Sequence, residues 1–465
     1  MNKSTLNNRF ILGITMVSAM GGLLFGYDWV VIGGAKPFYE RYFDIISSPY
    51  LQGWAMSSAL IGCLVGALAS GYISERYGRK LPLIFAAALF TISAIGTGAV
   101  SHFTPFIIYR LIGGVGIGLA SAISPMYIAE ISPASIRGRL VSINQLTIVI
   151  GILSAQIINY LIADKIKPGA TDLEIIQSWN GQMGWRWMFW AETFLSISFF
   201  LLAFFIPESP RFLLKKGKEQ QALQILERIG GRDYAVAEEE NIAKTLNSSN
   251  SKADWRQLRS KKMRPLLVLG IILAIFQQWC GINVIFNYAE EIFTSAGYSV
   301  GDMLFNIVIT GAVNLIFTFF AMRMVDSWGR RKLMLFGSAG LALIYLALGS
   351  SYFFELEGMA ILILVLIAIA TYAMTLAPIT WVVLSEIFPN RVRGAAMAIA
   401  TTALWTASFA LTYTFPILNS LLNASGTFWL YALICFLGFM FIFKRLPETK
   451  GKSLEEVEAA FQSKN

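Results

Sequence analysis

Charge is what this sequence has least of. Only 14% of its 465 residues are Asp, Glu, Lys or Arg, where a soluble chain carries about 25%. Too few charges remain to coat a water-soluble fold of this length. Histidine occurs once, at His102, and cysteine three times, at Cys63, Cys280 and Cys435, with no Cys-x-x-Cys pair. A lone imidazole and scattered thiols do not make a metal site or a disulfide framework. Each cysteine lies within an apolar run and reads as an inert buried thiol. No nucleophile–base pair and no phosphate loop stand out, so neither an enzyme nor a cofactor is expected. The net charge of +9 comes without an aromatic-interleaved basic groove, which argues against a nucleic-acid partner.

Apolar residues make up 56% of the chain. They fall in runs of about 20 residues, each long enough to cross a bilayer of about 30 Å as a helix. The runs lack the alternation of barrel strands, leaving helices as the way to satisfy backbone polar groups in lipid. Spans are expected at 10–32, 54–74, 81–100, 104–127, 139–163, 187–206, 265–289, 303–322, 333–352, 359–385, 394–419 and 426–443. The first is not read as a cleaved signal peptide, because it is too long, lacks a small-residue cleavage site and contains Asp28. Lys36, Arg41, Lys165, Lys167 and Arg186 fall on one side of these spans and Arg110 within one, while every other Lys and Arg falls on the opposite side. That asymmetry places both termini in the cytoplasm. The positive charge is then topological, a solvated face beside anionic lipid.

Residues 207–264 interrupt the pattern with charged, helix-prone sequence such as KKGKEQQALQILERIGGRD. The expected organisation is a six-helix half over 1–206, cytoplasmic linker helices over 207–264, a second half over 265–446 and a tail over 447–465. The halves repeat one another. GYISERYGRKL after the second span matches RMVDSWGRRKL after the eighth. YIAEISPASIRGRL after the fourth matches VLSEIFPNRVRGAA after the tenth, and PESPRFLLKKGK pairs with PETKGKSLEEVE. The fold class is therefore an all-α membrane protein of twelve transmembrane helices in two six-helix halves, with short cytoplasmic helices between them. Parallel repeats of this kind occur in transporters that bind substrate midway across the membrane. Repetition alone would also fit a duplication with no transport role.

The paired Gly-Arg-Lys and Gly-Arg-Arg-Lys loops, RLIGGVGIG at 110–118, PESPRFL at 207–213, QQWCGIN at 277–283 and PETKG at 447–451 resemble the sugar porters of the major facilitator superfamily. Each stands in its expected place, and the likeness covers nearly the whole chain. Within the family, SPMYIAE, RGRLVSINQ and LSEIFPN are most similar to the bacterial D-xylose–proton symporters. The resemblance implies a proton-coupled monosaccharide symporter working by alternating access, importing a pentose such as D-xylose. Its alternatives are an importer of arabinose or a hexose, and an uncoupled facilitator. A non-transporting sensor on the same fold would carry a longer tail than the one expected here. The implied partners are the sugar, a proton and the bilayer, with a monomer as the working unit and a bacterial inner membrane as its place.

Asp28 and Arg110 are charges deep within spans. Each costs roughly 2.5–3.5 kcal/mol at the bilayer centre, so such residues pair and usually function. An Asp28–Arg110 pair that breaks on protonation is the simplest coupling device, and the resemblance associates an acid at position 28 with symport. Glu192 matches a second acidic position of that family, although near the interface it could equally be solvated. A monosaccharide needs amide partners and an aromatic platform. Gln145, Gln277, Gln278, Asn283, Asn314 and Trp381 match the family's sugar contacts, Trp405, next to Leu404, is taken with them, and Asn287 shares a helix face with Asn283. Asn283 would need a local helix break, which Gly281 permits, and Pro378 could make Trp381 a hinge. Asn287 stands where the family usually has Tyr, Ala377 where it has Gly, and Leu404 where relatives place an amide. Those departures bear on which sugar is carried. Arg79, Glu130, Arg137, Glu208 and Arg211 in one half, and Asp326, Arg330, Glu386, Arg393 and Glu448 in the other, set Arg against carboxylate at helix ends. By the resemblance they close a cytoplasmic gate. RLIGGVGIG has no strand before it, so its glycines read as close helix packing rather than a nucleotide loop.

Overall fold

In the computed structural model, residues 6–166, 170–248, 260, 263–356, 358–388, 392–448 and 450 are described; at 245, 247, 248, 300, 301, 325–327, 385, 393 and 394 the description extends to the backbone alone. The helices are α1 (Asn8–Tyr42), α2 (Pro49–Tyr77), α3 (Lys80–Ala99), α4 (Phe103–Ile131), α5 (Arg137–Ile162), α6 (Asp172–Gln177), α7 (Trp185–Ala203), α8 (Pro210–Lys215), α9 (Glu219–Ser248), α10 (Arg264–Trp279), α11 (Ile282–Asn287), α12 (Ala289–Thr294), α13 (Val300–Trp328), α14 (Arg330–Phe353), α15 (Met359–Met374), α16 (Leu376–Ile387) and α17 (Arg393–Arg445). A π-helical turn, Asn180–Gly184, leads into α7. Among the described residues there is no strand.

Twelve spans follow from this order. α1 to α5 and α7 make six. α10 with α11, α13, α14, α15 with α16, and the two arms of α17 make the other six. α17 is 53 residues long and as one rod would reach about 80 Å, far beyond a bilayer. It breaks at Asn423, whose φ is +58°. Between the two sets, α8 and α9 occupy the expected linker, with α9 broken at Gly231.

The interruptions have local causes. Pro378 has no N–H to give the carbonyl of Met374, and the chain leaves helical geometry at Thr375, φ −124° and ψ −87°, between α15 and α16. Gly281 adopts φ +86° between α10 and α11, giving the break expected before Asn283. Gly78 and Gly329, at φ +88° and +89°, separate α2 from α3 and α13 from α14. Both lie in the region costly for any residue with a Cβ.

Span ends differ from the hydropathy reading most at α1, which was expected to stop at residue 32 and continues to Tyr42. The extra turns contain Lys36, Glu40 and Arg41, which hydropathy reads as loop. Lys36 and Glu40 pair at i, i+4 and are buried, so the helix carries on with its charges neutralised within the protein.

Two compact units make up the chain. The first comprises Met1–Asp28, Gly62–Ile152 and Phe189–Lys252, and the second Trp29–Ile61, Leu153–Met188 and Ala253–Asn465. In the first, α4 packs closely on α2 and α3: a Cβ on Gly118 would strike the carbonyl of Cys63, one on Gly113 the hydroxyl of Ser93, and one on Gly116 would lie 3.2 Å from the carbonyl of Ala86. These glycines work as packing surfaces. In the second, Gly33 of α1 meets the backbone of Phe286 and Asn287 in α11, and Gly53 of α2 meets the carbonyl of Tyr413 in α17.

Candidate functional site

Arg110 of α4 donates to Asp28 of α1. Both are 2% exposed or less, which for an Arg and an Asp in a lipid-facing fold requires a partner. Arg110 also lies over the ring of Phe189, 5.8 Å from its centroid. The second carboxylate oxygen of Asp28 has no hydrogen-bond partner. Glu192 of α7 is 2% exposed and lies within electrostatic reach of both Asp28 and Arg110. The solvated alternative for Glu192 is thus replaced by burial within the protein. One guanidinium balances one carboxylate, and a second carboxylate in the same dry region is costly unless it holds a proton.

The amides of the QQ-x2-GIN segment form a chain in the second unit. Gln277 donates through Nε2 to the hydroxyl of Tyr372 at 2.7 Å. Gln278 donates to Oε1 of Gln277 at 2.5 Å, and Asn283 donates to Oε1 of Gln278. The turn at Gly281 folds Asn283 back onto the last turn of α10. Asn287, 4% exposed, has an amide oxygen without a partner. Asn314 of α13 and Trp405 of α17 are buried, as is Leu404, and Trp405 packs against Trp29 of α1 with ring centroids 6.1 Å apart. Trp381 of α16 is 38% exposed, an available ring face. Gln145, exposed on α5, belongs to the first unit. Tyr372 was not anticipated. It sits on an otherwise apolar span, and only the fold brings it to Gln277.

The motif charges form two matching cradles, each within one compact unit. In the first, Arg79 donates to Glu130 at 2.8 Å, while its backbone N–H donates to Glu208 at 2.8 Å. Ser209 also donates to Glu130, at 2.5 Å. In the second, Arg330 reaches Glu386 at 3.0 Å, and its backbone N–H donates to Glu448 at 2.9 Å. A Cβ on Gly78 would run into Glu208, and one on Gly329 into Glu448. Arg137 is exposed at the start of α5, and Arg211 is half-buried in α8. The side chains of Asp326 and Arg393 lie outside the described residues.

A further charged cluster was missed. Lys36, read from sequence as a marker of topology, is 2% exposed and touches Glu40 at 3.1 Å, Glu290 at 3.0 Å and Glu291 at 2.5 Å. Gln52 of α2 donates to Glu40 at 3.0 Å. The only signal in the sequence was the i, i+4 spacing of Lys36 and Glu40.

Apolar helical spans, with a buried Asp–Arg pair in one unit and a chain of amides in the other, define a polytopic membrane protein with polar groups inside its spans. The model of the family described as "Sugar (and other) transporter" matches residues 14–461. The D-xylose-proton symporter of Escherichia coli (strain K12) is 39% identical, with 98% of this chain and 96% of that protein aligned. The arabinose-proton symporter of Bacillus subtilis (strain 168) is 40% identical over 97% of this chain and 94% of its own. Among solved structures, the inward-open xylose transporter XylE from E. coli superposes with a TM-score of 0.85 at 37% identity, covering 97% of this chain and 99% of that one. This chain belongs to the sugar transporter family, with the twelve-span fold of the major facilitator superfamily.

Proposed function

We propose that this protein is a proton-coupled monosaccharide symporter that works by alternating access and imports a pentose, with xylose first and arabinose second. The observation that carries the reading is the buried Asp28–Arg110 pair with Glu192 beside it. A carboxyl in that setting holds a proton at low cost only when its salt bridge is released, so proton binding and rearrangement of α1 against α4 are one event. The relatives named as proton symporters of xylose and arabinose support the same assignment. Gln277, Gln278, Asn283, Asn287, Asn314, Trp381 and Trp405 are the proposed sugar contacts in the second unit, and Gln145 of α5 is a proposed contact in the first. Amides supply paired donors and acceptors to hydroxyls, and indole rings cover the apolar ring face.

Both termini and the linker face the cytoplasm of a bacterial inner membrane, and the monomer is the transporting unit. The halves are 1–206 and 265–446, joined by 207–264. The two cradles, with Arg137, Arg211, Asp326 and Arg393, make up the cytoplasmic gate. Uptake of labelled xylose into energised vesicles, with and without a protonophore, tests the assignment. Concentrative uptake abolished by the protonophore is the expected result. Uptake indifferent to it would make the protein a facilitator.

A further inference from the structure

At the end of α1 remote from the termini, one ammonium is buried among three carboxylates. Lys36 has three N–H donors, and Glu40, Glu290 and Glu291 each take one within 3.1 Å. The ring of Tyr288 covers the ammonium at 5.8 Å, and the Tyr288 hydroxyl is tied to the carbonyl of Thr412 in α17 at 2.6 Å. The lysine is fully satisfied. The carboxylates are not: Oε1 of Glu40 and Oε2 of Glu291 are buried without a hydrogen-bond partner, and Glu40 is only 3% exposed. Three carboxylates against one ammonium leave two uncompensated negative charges if all are ionised. Carboxyl groups crowded into one site relieve that cost by retaining a proton.

We propose that Lys36, Glu40, Glu290 and Glu291 form a second proton-holding site, at the outer end of the fold, which fastens α1 to α12 and loosens as the external medium becomes alkaline. α12 follows α11 through Tyr288, so the segment bearing Asn283 and Asn287 is the one being fastened. The side chains of Glu290 and Glu291 keep 15% and 22% of their surface exposed, which gives the site a direct path to external water. The groups facing it are Lys36, Tyr39 and Glu40 on α1, Gln52 on α2, and Tyr288, Glu290 and Glu291 at α12. Burial is the main cause that pushes Glu291 from the usual 4.5 up to about 8; Glu290 and Glu40 raise it further and Lys36 opposes them. Because the carboxyl value is raised in the fastened state, its stabilisation is complete below about 4.5 and is lost as pH rises through about 8. When the outer end opens, water solvates the carboxylates and the proton leaves to the side it came from. This proton regulates closure without being carried across, in contrast to the one at Asp28.

The outer-end role rests on the alternating-access reading above, but its test needs no uptake. Ser47 and Ser295 are exposed near the two elements, and the three native cysteines are buried. Spin labels on Ser47→Cys and Ser295→Cys, in the full chain in lipid nanodiscs, report the spacing of α1 and α12 by pulsed dipolar spectroscopy. In the otherwise unaltered protein, the short-distance population should fall as pH is raised from about 5.5 to about 9. Glu291→Gln should flatten that response at least threefold, and Lys36→Met should shift the population toward long distances. In Asp28→Asn, where the coupling carboxyl is absent, a pH response should persist, and adding Glu291→Gln should remove it. A distance distribution independent of pH, a Glu291→Gln variant responding like its parent, or loss of the response in Asp28→Asn would each overturn the proposal. A protein that fails to concentrate sugar but retains the response would overturn only the symport reading.

Discussion

Replacing Asp28 by Asn removes the one carboxylate bonded to Arg110 and leaves a side chain of nearly the same shape. Losing one partner of a buried ion pair costs about 3–5 kcal/mol when the other charge is stranded. Here the oxygen of the introduced amide could still accept from the guanidinium, and Glu192 lies within electrostatic reach of it, so a folded variant is expected. What changes is the work available for accumulation. If the chain moves one proton per sugar, an imposed potential of about 100 mV, inside negative, supplies about 2.3 kcal/mol. That sets a ceiling of about fifty-fold on the internal excess of sugar, at 1.4 kcal/mol per tenfold. The assay is uptake of labelled xylose into proteoliposomes carrying a potassium diffusion potential. The parent protein should concentrate xylose toward that ceiling. Asp28→Asn should equilibrate it and no more, while retaining binding by calorimetry. If Asp28→Asn still concentrates sugar, coupling resides elsewhere. Accumulation well beyond fifty-fold in the parent would mean that Glu192 carries a second proton.

Gln277→Ala should weaken xylose binding at least about tenfold, 1.4 kcal/mol, because it removes the link between Gln278 and Tyr372 as well as a proposed sugar partner. Trp381→Ala should do the same by removing a ring face, and unchanged affinity by calorimetry in either folded variant would count against the site. Leu404→Gln should narrow or invert a preference for xylose over glucose, since an apolar side chain bordering the proposed sugar site would leave a hexose hydroxyl desolvated at a cost of about 1–3 kcal/mol. Competition against labelled xylose reads this directly, and a galactose-preferring parent indifferent to the change would exclude Leu404 from sugar choice. Gly78→Ala and Gly329→Ala should each lower stability by about 1–2 kcal/mol, seen as a lower apparent melting temperature in detergent. An unaltered melting temperature would show that the positive φ is not required.

Hydropathy was sufficient to read the spans, because lipid imposes one secondary structure on any long apolar run. It failed at the end of α1, where Lys36 and Glu40 neutralise each other inside the protein. A window average registers charge but is blind to pairing. Asp28 with Arg110 was legible for the complementary reason: two opposite charges inside spans have few other places to go. The break at Gly281 was legible because a glycine stands between two amide-bearing turns. Tyr372 was not, since a tyrosine on an apolar helix is as well explained by packing, and its bond to Gln277 spans 95 positions of sequence. Glu290 and Glu291 carry no mark in the sequence of the buried lysine on which the fold sets them.

Glu208 and Glu448 hold their cradles together through backbone N–H groups of Arg79 and Arg330, and a main-chain amide looks the same whatever side chain it carries. Such a joint asks little of its surroundings: a glycine to make the bend and an acid long enough to reach it. Where two segments share such a joint, almost every other position can differ without disturbing it. The bend and its acid cannot drift without loosening the turn. The repeat in the sequence is therefore plainest where a glycine bend meets the acid that holds it.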